Sequence, residues 1–202
     1  GPEFAGYRAD GSWNEAFWAR VRGLLAEAAR LGIYVEVDVI DAWAFEHGRN
    51  AFGDDCEAMK RAPDRRHLRW IRKVAAETGG FPNVMYQVGN ETFGCGVAPE
   101  WELGVRDALR AALAQPRLIG TNSHRPELEA EFDYVARHLD EAQPPAARPV
   151  IVNETGPLSP AEFRKQRDAA RSQGTTFVLW RGGMNARQWS RALRFLGYAR
   201  RE

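Results

Sequence analysis

The sequence predicts a parallel α/β fold, on three observations. Short runs rich in Val, Ile and Tyr alternate with amphipathic segments along the whole chain. Two of those runs, Asn83-Val84-Met85-Tyr86-Gln87-Val88-Gly89-Asn90-Glu91 and Pro149-Val150-Ile151-Val152-Asn153-Glu154, stop abruptly at Asn-Glu. No internal repeat and no low-complexity segment interrupts the alternation. An acid just past the C-terminal end of a parallel strand stands where α/β folds keep their chemistry. One such glutamate reads equally well as a loop starter or a helix cap. Two, in matching contexts on separate strands, form a pair of carboxylates able to face each other across a site. Glycoside hydrolysis uses such a pair: one carboxyl protonates the leaving oxygen, and the other attacks the sugar carbon or activates water.

The 202 residues, 44% of them apolar, suffice for a substantial core and are expected to form one domain over 5–202. Gly1-Pro2-Glu3-Phe4 resembles a cloning and cleavage scar, so the native N-terminus is not read. Lys plus Arg number 28 and Asp plus Glu 27, a net charge of +1. That balance gives no electrostatic reason to expect nucleic acid or an anionic membrane as partner. No apolar run approaches the ~20 residues of a membrane span, and no secretory leader is read. Seven Trp and five Tyr supply faces that stack on sugar rings as well as core. Cys56 and Cys95 exclude a disulfide framework and a Cys-rich zinc site; two free thiols are expected, with one bridge as the alternative.

In chain order, Trp13, Phe17, Val21, Leu24, Leu25, Ala28 and Leu31 recur at helical spacing, and Gly32 stops that helix. Ile33 to Ile40 reads as a strand. The segment from Asp41 to about Asp64 is a long aromatic and polar loop, the kind that carries function. Pro63 opens a helix with Leu68, Ile71, Val74 and Ala75 on its buried face, running to about Thr78 before Gly79-Gly80. The first Asn-Glu strand follows. Pro99 starts a helix carrying Trp101, Val105, Leu109 and Leu113, and Pro116 closes it before a short strand at 118–122. A brief acidic helix near Glu127 to Glu131 precedes a strand at 132–138 that ends in His138. After the Pro-rich stretch 144–149 comes the second Asn-Glu strand. Ser159-Pro160-Ala161-Glu162 is a capping box opening a helix to about Gln173. The last strand is Thr175 to Trp180, and a final helix holds Trp189, Leu193 and Leu196.

In this order the chain resembles the C-terminal three quarters of a clan A glycoside hydrolase, among the (β/α)8 barrels related to the family 5 cellulases and mannanases. The resemblance spans about residues 13 to 198. In that group the fourth strand ends in Asn-Glu with Glu as acid/base, the sixth in His, the seventh in the nucleophilic Glu, and the eighth in a Trp that floors the sugar subsite. The matching positions are Asn90 and Glu91, His138, Glu154 and Trp180. The resemblance implies a TIM-barrel-like (β/α)8 architecture in an incomplete or minimal form, with about six strands where eight are usual. The first two strands, and the Arg they normally supply beside the nucleophile, have no counterpart. Thr92 stands where the family pattern has Pro. Open sheet edges invite cover, and a homo-oligomer is the expected cover.

The implied activity is a retaining hydrolase of β-linked oligo- or polysaccharides with no cofactor and no metal, Glu91 as acid/base and Glu154 as nucleophile. Asn90 would bond the sugar 2-hydroxyl. Trp43, Asp41, His47 and Asn122 are expected to line the cleft because they follow strands. Secretion or the periplasm is the location the resemblance implies. Each residue also has a plainer reading: capping acids, a turn asparagine, a core tryptophan, a structural histidine. The alternatives for the whole are an inactive truncated barrel or a non-catalytic carbohydrate-binding fragment. A metal hydrolase is disfavoured, since His47, His67, His124 and His138 lack metal-binding spacing and His67 is expected mid-helix.

Overall fold

Asn14 starts the first helix by accepting a hydrogen bond from the Phe17 N–H, and Glu15 and Arg30 complement the dipole at its two ends. Helix α1 runs Glu15–Arg30 and buries Trp18, Leu25 and Ala28. Leu24 and Leu31, expected on the buried stripe, are 61% and 51% exposed. They lie seven residues apart on a face of the helix that the core does not reach.

A computed structural model describes residues 6–8, 10–50, 52–138, 148–154, 161–162, 164–165, 168–169 and 176–177, with positions 153–154 and 176–177 by their backbone alone. The chain divides into two compact units, Gly1–Ala136 with Pro145–Pro149, and Arg137–Pro144 with Val150–Glu202.

In the first unit, β1 (Val35–Asp38) is followed by α2 (Ala42–Glu46), a 3-10 helix (Cys56–Lys60) and α3 (Arg65–Thr78). Asp64 caps α3 by accepting from the Arg66 and His67 N–H groups. His67 therefore sits in the first turn, not in the middle of the helix. Next come β2 (Val84–Gln87) and α4 (Pro99–Ala112), which has Pro at its start, where the missing N–H costs nothing. Then follow β3 (Ile119–Thr121), the short α5 (Pro126–Glu129) and β4 (Tyr134–His138). Each strand pairs in parallel with the next in the chain, Val35 with Val84, Tyr86 with Ile119, and Gly120 with Tyr134. The helices supply the second layer through Ile71, Val74, Trp101, Val105 and Leu109, all buried. Gly120 has no room for a side chain: a Cβ there would lie 2.3 Å from the Tyr134 ring. That ring is pinned by its hydroxyl, 2.8 Å from both Glu36 Oε2 and the Tyr86 carbonyl.

In the second unit, β5 (Val150–Glu154) pairs in parallel with β6 (Thr176–Phe177), Ile151 opposite Thr176 and Val152 opposite Phe177. The helix expected from Ser159 to Gln173 is helical at 161–162, 164–165 and 168–169. The final helix expected around Trp189 lies outside the described residues. Parallel pairing in chain order from β1 to β4, and of β5 with β6, with helices between strands, makes this an α/β fold of the incomplete (β/α)-barrel kind, with six strands among the described residues.

The loop after β1 departs from expectation. It holds α2 and a 3-10 helix, and Cys56 is joined to Cys95 across 39 residues, with Cα atoms 5.1 Å apart. The two free thiols expected from sequence are therefore corrected to a disulfide. The pairing depends on the β2–α4 connection folding back against this loop, which spacing along the chain does not reveal.

Candidate active site at the carboxyl end of β2

Beyond Gln87 the chain must turn sharply while staying against β1. Gly89 allows it: a Cβ would fall 2.8 Å from the Thr92 methyl and 3.1 Å from the Ile40 carbonyl. Asn90 keeps one more rung of the ladder, its N–H donating to Ile40 and its carbonyl accepting from Ala42, with Nδ2 3.4 Å from Asp41 Oδ1.

Glu91 then takes φ of +51°, the only left-handed residue other than glycine among the described residues. A side chain there costs about 1–3 kcal/mol and persists only where the surroundings impose it. They do so here through Asn122, the residue after β3. Its Oδ1 accepts from the Glu91 N–H at 3.0 Å, and its Nδ2 donates to the Ala136 carbonyl at 2.9 Å. Asn122 is wholly buried, whereas Glu91 is half-buried. Gly94 and Val97 close the turn by donating to the carbonyls of Glu91 and Thr92.

Behind the turn, the Thr121 hydroxyl donates to Oε2 of Glu102, a buried carboxyl on α4, and also accepts from the Ser123 N–H. Burial pushes the Glu102 pKa above its ordinary value, against the Thr121 and Thr92 hydroxyls that lower it.

The other expected site residues are placed as follows. Trp43, on α2, stacks on the exposed His47 with ring centroids 4.2 Å apart, and the Arg49 guanidinium lies 5.4 Å from the Trp43 ring centre. A cavity of about 190 Å³ opens between Asp38, Asp41 and Asn50 and the rings of Phe45, Phe52 and Trp70. These groups gather at the carboxyl ends of β1 and β2, together with Asn90, Glu91 and Asn122. His138 closes β4 and is buried. Glu154 closes β5 by its backbone; its side chain, and all of Trp180, lie outside the described residues.

Two groupings were missed in the sequence. Phe93 and His124 stack with centroids 4.4 Å apart, Phe93 being 44% exposed. Each follows an expected strand end by a few residues, the signal that drew attention to Asn122 and would have served here. Asp54, Asp64 and His67 bring potential metal-ligand atoms within 4.8 Å of one another. His67 is buried against the Phe52 and Trp101 rings, its Nδ1 2.9 Å from Asp64 and its Nε2 3.2 Å from Asp54. Burial holds its pKa below the ordinary value, against the pull of both carboxylates. The Arg66 guanidinium already spans those carboxylates, at 2.9 Å from Asp54 and 3.0 Å from Asp64. A cation thus stands where a metal would have to neutralise charge, and the cluster is a surface ion-pair network with the buried His67 ring beneath it.

No protein-family model and no curated protein matches the chain. Among solved structures it is similar to a proposed glycoside hydrolase from Bacteroides vulgatus, with a TM-score of 0.62 and 16% identity. The match covers 92% of this chain but 44% of that one, so the chain spans less than half the length of its neighbour. At that identity the likeness is one of fold.

Proposed function

We propose that the protein is a retaining glycoside hydrolase of β-linked oligo- or polysaccharides. Its relatives would be the clan A barrels of the family 5 kind, working by double displacement without a cofactor. The observation that carries the reading is Glu91, a carboxyl-bearing residue held in a left-handed conformation at the carboxyl end of a parallel strand. The fold shared with a proposed glycoside hydrolase supports it. In this mechanism Glu91 starts protonated and gives its proton to the leaving glycosidic oxygen while Glu154 attacks the anomeric carbon. Water, deprotonated by Glu91, then releases the sugar from Glu154. Retention requires the two carboxyls about 5 to 5.5 Å apart. In this mechanism Asn90 bonds the 2-hydroxyl, Trp180 and Trp43 serve as stacking faces, and His138 serves as a hydrogen-bonding group for the nucleophile. The Cys56–Cys95 disulfide suits the oxidising compartments in which secreted and periplasmic enzymes work.

The test is intact-protein mass after incubation with 2-deoxy-2-fluoro glycosides bearing good leaving groups, followed by peptide mapping. A single adduct on Glu154 is expected. An adduct elsewhere would overturn the assignment of the nucleophile. Sugar binding with no adduct from any glycoside, and unchanged by Glu91→Ala, would mark a non-catalytic carbohydrate-binding fragment.

A further inference from the structure

We infer that Asn122 is a positioning residue for Glu91, holding the acid/base in its left-handed turn rather than touching sugar. The inference rests on the catalytic reading of Glu91 for its functional half only. The Glu91 N–H needs an acceptor and the Ala136 carbonyl needs a donor, and one carboxamide meets both, at 3.0 and 2.9 Å. Those two demands also fix which end of the amide is oxygen. Asp keeps the acceptor but has no donor when ionised, and Ala keeps neither. Asn122 is wholly buried and each end of its amide already bonds backbone, so it presents no exposed atom to a substrate. The preceding residue faces the opposite way, as β3 alternation requires, and its hydroxyl is anchored to Glu102 on α4. The end of β3 is therefore tied to the helix layer by Thr121 and to the Glu91 turn and β4 by Asn122. A carboxyl set on a left-handed turn points where that turn aims it, so loosening the turn misplaces the proton donor without removing it.

The experiment pairs amide exchange with kinetics. In the wild-type protein the Glu91 amide is expected to be protected. Asn122→Ala should speed its exchange about tenfold, the loss of roughly one hydrogen bond, while Asn122→Asp, which keeps the acceptor, restores protection. The amides of Tyr86 and Val88, bonded to the Leu118 and Gly120 carbonyls, report that the sheet is intact in each variant. Unchanged Glu91 exchange in Asn122→Ala, with the sheet intact, overturns the inference. Should the Ala variant not fold, an Asp variant with an unprotected Glu91 amide overturns it equally.

Kinetically, Asn122→Ala should slow hydrolysis of phenyl glycosides about tenfold or more in kcat with little change in KM. For 2,4-dinitrophenyl glycosides, whose leaving group needs no proton, it should spare kcat/KM, which reports the first step, while kcat falls because Glu91 also deprotonates the water of the second step. Glu91→Ala should show the same pattern more strongly. A Glu91→Ala variant with no leaving-group dependence, or a wild-type protein that cleaves no glycoside, defeats the acid/base reading, and the exchange data then judge the structural half alone. A Glu91→Ala variant with the dependence beside an Asn122→Ala variant without it defeats the positioning role.

Discussion

Glu102 is 1% exposed, and its pKa is raised by burial above the ordinary 4.5. A carboxyl with a raised pKa binds its proton more tightly folded than unfolded. Its contribution to stability is therefore fully present below the unfolded value and is lost as pH rises through the folded one. Gln at this position carries no charge at any pH and can still accept from Thr121. Glu102→Gln should therefore gain on the wild type as pH rises from about 4.5, the unfolded carboxyl value. Urea midpoints at pH 4 and pH 7 check this, and a difference between the two proteins that stays constant with pH would refute it. The same carboxyl, behind the Glu91 turn, is tolerated in the helix layer because the Thr121 hydroxyl donates to it. Thr121, and through Ser123 the end of β3, is organised around it.

At the scale of elements, the loop between β1 and α3 is held by a bond that spans 39 residues of sequence. In the chain-entropy account, closing a loop of that length stabilises the fold by about 4 kcal/mol. Reducing the bond, or replacing both cysteines by serine, should lower stability by up to that amount. Guanidinium unfolding with and without reductant measures it, and coincident curves would show that the bond constrains nothing. The strands and principal helices were legible in the sequence because their signals are local: runs ending at Asn90 and Asn153, Pro99 at a helix start, the 3.6-residue stripe of Ile71, Val74 and Ala75. The loop was not, because α2 and the disulfide depend on Cys95 arriving from another connection. Glu91 and Asn90 were found from a strand-end motif, whereas the bonds of Asn122 to Glu91 and Ala136 join three strands and leave no trace in spacing. The pairing of His67 with Asp54 was missed for the same reason, since Asp54 lies thirteen residues away, in that loop. Leu24 and Leu31 show the converse error, since periodicity marks an apolar stripe but not how wide a stripe the core can cover.

At the scale of the molecule, β1 begins the sheet, and among the described residues no strand pairs with its outer edge. On α1, at its C-terminal cap and in the turn into β1, Leu24, Leu31 and Tyr34 are 61%, 51% and 74% exposed. A strand edge next to exposed apolar side chains is a site that natural proteins cover or blunt with charge. Within β1 the Glu36 carboxylate is bonded to the Tyr134 hydroxyl, which leaves Asp38 as the exposed charge of the strand. A second copy of the chain is the partner such an edge accepts most readily, because two identical edges can join across a two-fold axis. Light scattering across a concentration series should therefore give masses rising above that of one chain, and Tyr34→Lys, which replaces the most exposed of these apolar side chains by a charge, should shift the mass toward that of one chain. If the wild type holds the mass of one chain at every concentration and still unfolds cooperatively, the edge is stable uncovered. Leu24, Leu31 and Tyr34 would then be scattered surface residues that call for no partner.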